Sequence, residues 1–224
     1  PLDHRDVVEL AHGGGGRKTA RLIETLFAPA FRNPHLEPLG DGAIVDVGSE
    51  RLAFTTDTFV VTPAFFPGGD IGSLAVHGTV NDLAMCGAEP LFLSAGYLLE
   101  EGFPMRDLER VVASMAEACR AVGVALVTGD TKVVDRGKGD GIYVNTSGVG
   151  RVRDGVNVGP GRAVAGDAVL VSGPVGDHGI AVMAAREGID FETTLVSHSA
   201  PVVLPVCAML DAVPGIRSLR DPTR

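Results

Sequence analysis

The stretch Val76-His77-Gly78-Thr79-Val80-Asn81-Asp82-Leu83-Ala84-Met85-Cys86-Gly87-Ala88 decides how this chain is read. With Ala75 ahead of it, its small and apolar positions leave no broad polar stripe, which predicts a short helix buried around most of its circumference. Gly87 supplies a stop, and Pro90 forbids continuation. Asn81 and Asp82 stand adjacent inside the apolar run, about 100° apart on a helix. A buried carboxylate without a partner is costly. Asp82 therefore either bonds a neighbouring backbone segment or meets a cation. Few basic residues lie nearby and other acids are plentiful, so a metal ion is the cation this stretch would favour.

Working outward, 224 residues suit one large domain or two small ones, with enough chain for a real core. Thirty glycines, scattered rather than repeated, point to tight turns and backbone-lined sites. A net charge of −9 argues against nucleic acid or an anionic membrane as partner. It also means that a polyphosphate ligand needs cations to bridge it to the protein's acids. Cys86, Cys119 and Cys207 are far apart, with no CxxC pair, and read as buried free thiols in a reducing cytoplasm. The sequence shows no signal peptide and no run of 18 apolar residues, so a cytoplasmic protein is expected.

Near the start, His12-Gly13-Gly14-Gly15-Gly16-Arg17-Lys18-Thr19 precedes Leu22, Ile23, Leu26 and Phe27 at helical spacing. The loop Gly13–Gly16 is either a loose N-terminal arm or a set of free N–H groups for phosphate oxygens. Its spacing fits neither the dinucleotide fingerprint nor a P-loop. Strands are expected at 44–47 and 52–57, joined by a turn at Gly48-Ser49, and at 91–99, 124–127 and 142–149. Pro104 opens an amphipathic helix with Leu108, Val111, Val112, Met115, Cys119 and Val122 on one face, ended by Gly123. This order suggests an α/β (α+β) domain over residues 40–155, preceded by the arm and helix of 1–39. Residues 156–224 begin a second α/β domain with one strand at Asp167–Ser172 and helices near 180–187 and 201–212. One strand cannot close a sheet, so that domain reads as incomplete. Ser197-His198-Ser199 reads as a polar cap to the last helix, not a nucleophile.

Four acids share one grammar. Asp41 precedes a strand, Asp57 and Asp130 follow one, and Asp82 lies inside the buried helix. Loops at strand ends are where sites gather on α/β scaffolds. Carboxylates converging in a cleft repel unless a divalent ion holds them, and Mg²⁺ favours carboxylates plus phosphate oxygens. Each acid singly also suits a cap or turn. Gly129 and Thr131 beside Asp130 leave room for a ligand. Lys132 falls on the side of Asp130 if the backbone stays extended. There it either neutralises a transferring phosphoryl group or pairs with Asp130 or Asp135. No second histidine or cysteine stands at metal-ligand spacing from His12, His77 or His178, so zinc is not expected.

Gly40-Asp41-Gly42-Ala43, Thr56-Asp57, Asn81-Asp82-Leu83-Ala84-Met85-Cys86-Gly87-Ala88 and Gly129-Asp130-Thr131-Lys132 resemble the aminoimidazole ribonucleotide synthetase superfamily of ATP-using enzymes. Within it the chain is similar to the HypE family of carbamoyl dehydratases. That likeness rests on His12-Gly13-Gly14-Gly15-Gly16, Phe66-Pro67-Gly68-Gly69-Asp70-Ile71-Gly72, Gly129-Asp130-Thr131-Lys132-Val133-Val134, Gly173-Pro174-Val175-Gly176-Asp177-His178-Gly179 and Asp221-Pro222-Thr223-Arg224. The resemblance implies ATP-dependent dehydration of a carbamoyl group on the enzyme's C-terminal cysteine to a thiocyanate. That cyano group then supplies the cyanide ligand of nickel–iron hydrogenases.

It further implies a homodimer whose N-terminal sheets close a shared barrel, with carbamoyltransferase and iron–cyanide assembly proteins as partners. On matching positions it makes Asp41, Asp57, Asp82 and Asp130 Mg²⁺ ligands. Gly13, Gly14, Gly15, Gly16, Asp57, Asn81, Gly129, Asp130, Thr131 and Lys132 become nucleotide-binding residues, and Lys132 and Asp82 catalytic ones. The family ends in a cysteine-bearing tail, whereas this chain ends in Arg224. A stretch lacking the acceptor thiol is expected to be inactive alone. The alternatives are a superfamily kinase resembling thiamine-monophosphate kinase, which the absence of a terminal cysteine would favour, and a non-catalytic dimerising scaffold, which calorimetric titration with Mg-ATP would separate.

Overall fold

The computed structural model describes residues 7–189 and 195–222. Gly16 caps α1 (Arg17–Leu22), which passes through a π-helical turn at Ile23–Phe27 into α2 (Ala28–Ala30). Gly48, at φ +64°, turns β1 (Ala43–Val47) back onto β2 (Glu50–Phe59). A short ribbon of β3 (Phe65–Phe66) and β4 (Gly69–Asp70) then delivers the chain to α3 (Ile71–Met85). A capping box starts this helix. The Asp70 carboxylate accepts from the backbone N–H of Gly72 (2.7 Å) and Ser73 (3.1 Å), while Ser73 Oγ accepts from Asp70 N–H. Gly87 at φ +69° ends it, as the sequence predicts.

β5 (Ala88–Glu100) is carried by α4 (Met105–Val122) to a parallel neighbour, β6 (Ala125–Val134), and β7 (Ile142–Val152) returns antiparallel between β2 and β5. Among the described residues the main sheet therefore runs β1-β2-β7-β5-β6. This is the mixed α/β sheet expected of residues 40–155. Strand alternation sorts its faces. Ala53 and Thr55 of β2, Leu93 and Ala95 of β5, and Val144 and Thr146 of β7 are buried beneath α3 and α4. Phe54 and Phe92 lie on the outer face, 47% and 50% exposed.

With sheet below it and α4 and α6 (Val203–Ala212) beside it, α3 is covered almost all round. Val76, Val80 and Leu83 are fully buried. Gly72 makes the α3–α4 crossing possible, since a Cβ there would stand 2.4 Å from the Val111 carbonyl oxygen.

Five expectations change. β6 continues through Thr128 to Val134 instead of turning into a loop, because Thr131, Val133 and Val134 favour the extended ladder with β5. Asp130 is therefore mid-strand, and Asp57 lies inside β2 rather than after it. Asp167–Ser172 is not a strand. It finds no sheet edge among the described residues, and Val169 and Leu170 are 89% and 86% exposed. Val112 points away from the α4 core face.

Lastly, Ser197-His198-Ser199 does not cap α6, which follows Pro201 and Val202. The run instead ties α5 (Asp177–Glu187) and α3 together. His178 Nδ1 lies 2.9 Å from Ser197 Oγ, and His198 Nδ1 lies 2.9 Å from an Asp177 oxygen. The Ser197 N–H also donates to the Pro67 carbonyl at 2.8 Å.

Candidate active site

α3 and β2 build the acidic site between them. Asp82, on the last turn of α3, leans toward β2, where the Thr55 hydroxyl lies 3.1 Å from Asp82 Oδ2 and 2.8 Å from the Asp41 carbonyl oxygen. Asp41 is carried there by the turn before β1. Gly42 must lack a side chain, because a Cβ would stand 2.9 Å from Cys86 Sγ and 3.1 Å from the Phe54 carbonyl. Asp57 follows Thr55 on the same face of β2. A Cβ at Gly78 of α3 would stand 2.7 Å from the Phe59 ring, so the bare helix surface makes room for that ring, with Asp57 Oδ2 at contact distance beyond it. A buried hydroxyl chain locks helix to sheet here. Thr79 and Thr146 Oγ1 atoms lie 2.5 Å apart, and Thr146 Oγ1 donates to the Ala75 carbonyl at 3.0 Å.

The C-terminal segment closes the site. The Arg220 guanidinium meets Asp41 Oδ1 at 2.7 Å, and Asp221 accepts a hydrogen bond from the Asn81 side chain. Sequence reasoning quoted Asp221 only as part of a motif and passed over Arg220 and Thr55. Its Thr223 and Arg224 lie outside the described residues.

The electrostatics follow from this crowding. Burial first, then Asp57, Asp41 and Asp221, push the Asp82 carboxyl up to about 8, with Thr55 acting in the opposite sense. Burial also raises Asp41 and Asp221 above the ordinary carboxylate range, against the pull of Arg220. Burial, with Asp41 and Asp82 nearby, pushes the Cys86 thiol up to about 12, so it stays protonated and unreactive. Beside Asp41 a cavity of about 150 Å³ opens between His35, Met85, Cys86, Val158 and Leu219.

Other expected site residues stand apart. Asp130 pairs in register with Gly96, and Gly96 with Asn145. The Asn145 amide donates to the Thr56 and Thr58 hydroxyls on the outer face. Asp130 and Lys132 thus lie on the face opposite Asp41, Asp57 and Asp82. There Lys132 Nζ meets an Asp130 oxygen at 2.9 Å, which holds the Asp130 carboxyl below its ordinary range. Gly129 faces inward, and a Cβ on it would stand 2.6 Å from the Ala95 carbonyl oxygen. It lets the two strands approach closely.

Asn81 is engaged too. Its Nδ2 donates to the Ala200 carbonyl at 3.0 Å and its Oδ1 accepts from Val202 N–H at 2.8 Å. Gly14 and Gly16 are exposed, with only the backbone of Leu10 and Ala11 within 4 Å of a Cβ at Gly14 and nothing at Gly16. Lys18 pairs with Glu9 ahead of the glycines.

Does the acidic set suit a divalent ion? Its donors are hard carboxylate oxygens, and a guanidinium already stands where positive charge is called for. In their present positions, however, no three acidic, histidine or cysteine side chains among the described residues converge closely enough to hold one. The donor chemistry fits, and the arrangement is open. Asp41, Asp57, Asp82 and Asp221 are the residues that would hold it.

A mixed sheet with one helical layer and acids gathered at α3 is the pattern of a known class. Residues 39–152 match the family described as AIR synthase related protein, N-terminal domain, and the chain belongs to that family. Within it the likeness is to HypE. The chain is 54% identical over 217 residues to the carbamoyl dehydratase HypE of Azotobacter vinelandii, covering 97% of this chain and 64% of that protein. A crystal structure of a HypE–HypF complex superposes with a TM-score of 0.85 at 50% identity, over 91% of this chain and 66% of that one. HypE in complex with ATP gives 0.76 at 49%, over 97% and 65%. The chain thus spans less than two thirds of the Azotobacter protein's length. Among the described residues no helix is long and apolar enough to cross a membrane.

Proposed function

We propose that this chain is the nucleotide-binding part of an ATP-dependent carbamoyl dehydratase of nickel–iron hydrogenase maturation. The observation that carries the reading is the near-complete coverage of this chain, at about half identity, by proteins named HypE, one solved with ATP. The acid cluster of α3 and β2 agrees with it.

In this reading a carbamoyl thioester, R–S–CO–NH2, attacks the γ-phosphorus of ATP through its oxygen. The bond to ADP breaks, two N–H protons are lost, and the C–O bond then breaks to release phosphate and leave R–S–C≡N. The protein's part is positioning and charge management. Asp41, Asp57, Asp82 and Asp221 would hold Mg²⁺, which when bound would neutralise charge on the polyphosphate. The Asp82 carboxyl, raised to about 8 while no metal is bound, would give up its proton as the ion enters and act through its Oδ atoms as a ligand. Lys132 stabilises the phosphoryl group in transfer, and Asp130 keeps it charged and aimed.

Because Asp130 and Lys132 lie on the outer face, they serve the acid site of a second copy, not of their own chain. That is what closing two such sheets into a shared barrel in a homodimer would provide. Gly13–Gly16 is the loop that folds over the nucleotide in that assembly. Residues 1–39, 40–155 and 156–224 are its arm, sheet domain and the beginning of a second domain, with a C-terminal cysteine on the remainder carrying the carbamoyl group. Without that remainder the chain turns nothing over. A HypF-like carbamoyltransferase would load the thiol, and an iron–cyanide assembly protein would take the product, all in the cytoplasm.

Mass spectrometry of the intact, carbamoylated protein with Mg-ATP tests the reading. Loss of one water equivalent from the modified cysteine, with one phosphate released per cysteine, is expected. Phosphate transfer to a free small-molecule acceptor without that loss would replace dehydratase by kinase.

A further inference from the structure

Within the main sheet, Gly96 of β5 is the strand glycine that the fold itself does not account for. A Cβ at Gly129, Gly148 or Gly150 would stand 2.6, 2.9 or 2.8 Å from a neighbouring atom. At Gly96 the nearest atoms would be Asn145 Cβ and the Asn145 carbonyl oxygen, both at 3.9 Å, and the backbone there is not left-handed. A glycine that weakens a central strand without relieving any crowding is the usual mark of close approach from outside. Here it leaves a notch on the outer face, between its partners in register, Asn145 of β7 and Asp130 of β6. Asn145 is fixed as one wall. Its Nδ2 donates to the Asp57 carbonyl at 2.9 Å and to the Thr58 hydroxyl at 3.0 Å. A carbonyl oxygen only accepts, so the amide nitrogen faces β2 and Oδ1 is turned away from β2, on the side of the notch. The Asp130 carboxylate, paired with Lys132, is the other wall. Two acceptors thus flank a bare floor.

We propose that this notch holds the amino group of the carbamoyl substrate, with Asn145 Oδ1 and the Asp130 carboxylate each accepting from one of its two N–H bonds. The proposal rests on the dehydratase reading above and deepens it, the acid site that this face serves being that of a second copy. Position selects the ligand. Lys132 is assigned to the phosphoryl group in transfer, and the notch lies one strand repeat from it, about 7 Å. The carbamoyl oxygen that takes the phosphoryl group shares its carbon with the amino nitrogen, so that nitrogen stays beside Lys132. The nucleotide sugar stands a triphosphate's length farther off. Chemistry selects it too. Two facing acceptors suit a group with two donors, and a site built around N–H donors rejects an analogue that lacks them. The notch therefore distinguishes a carbamoyl thioester from a simple acyl thioester, which has no N–H to offer.

Single-turnover dehydration of the intact, carbamoylated protein, measured beside its Mg-ATP affinity and its oligomeric state, tests this. Gly96→Val fills the notch with a residue that favours a strand. It is expected to slow dehydration about a hundredfold, with nucleotide affinity and assembly within about twofold of wild type. Asn145→Ala removes one acceptor and leaves the notch open, and should slow dehydration about three- to tenfold. A wild-type rate in Gly96→Val overturns the inference. So does a fall in nucleotide affinity or in assembly as large as the fall in rate, because the notch then takes the nucleotide or the second copy's backbone. If Gly96→Val does not fold, Asn145→Ala decides alone, and an unchanged rate there overturns the inference. Wild-type protein that binds Mg-ATP yet never dehydrates its carbamoyl group removes the dehydratase reading and this inference together.

Discussion

At the residue scale, Asp82 gives the sharpest expectation. Its folded pKa, about 8, lies above the 3.8 of a free carboxyl. Folding therefore favours its protonated form, so its contribution is whole below about pH 4 and drains away as pH rises toward 8. Metal-free protein should lose stability across that window, and Mg²⁺ should restore more of it at pH 8 than at pH 5. Asp82→Asn removes the charge without the bulk. Its metal-free Tm at pH 8 should exceed wild type by about 2–4 °C, and it should no longer respond to Mg²⁺; scanning calorimetry at the two pH values decides both. Asp41, Asp57 and Asp82 were readable in the chain because each sits against an apolar run that pulls it inward. Arg220 and Thr55 were not, since their importance lies in partners distant in sequence or across a strand, which periodicity cannot register. The Asn81 amide, expected at the nucleotide, also bonds the backbone of Ala200 and Val202, a tie the sequence does not announce.

At the element scale, β6 separates packing from chemistry. Gly129→Ala would drive a methyl group against the Ala95 carbonyl, a backbone atom that cannot step aside. A loss of about 1–3 kcal/mol is expected, seen as a lower denaturation midpoint. Lys132→Ala, three residues along on the exposed outer face, should leave that midpoint unchanged while abolishing phosphate release by the intact protein with ATP still bound. Normal release would remove Lys132 from the mechanism. The sequence placed α4 almost to the residue, because a helix with a strong apolar stripe between Pro104 and Gly123 declares its own limits. It missed the length of β6, where Thr128-Gly129-Asp130-Thr131-Lys132 looks like a loop until β5 offers a ladder. The apolar run 167–172 shows the converse, a strand pattern that finds no neighbour to pair with among the described residues.

At the scale of the molecule, the sheet acts as a partition with Asp41, Asp57 and Asp82 on one side and Asp130 and Lys132 on the other. The proposed dimer resolves this by lending one chain's outer face to its partner. Phe54 and Phe92 both pair in register with Val149, forming an apolar patch on that face. Phe92→Glu should therefore give monomers by analytical ultracentrifugation, keep its circular dichroism, and bind Mg-ATP at least about tenfold more weakly. A monomeric variant with undiminished nucleotide affinity would mean that each chain is self-sufficient.

Among the described residues β6 is the last strand of the sheet and takes its ladder from β5 alone. In such an edge strand successive amides alternate between the neighbour and open water. Deuterium uptake over 125–134 in dilute protein should consequently read as a comb, every second amide exchanging fast. Gradual closing of the comb's gaps as the protein is concentrated would trace how one molecule's unfinished edge becomes another's wall.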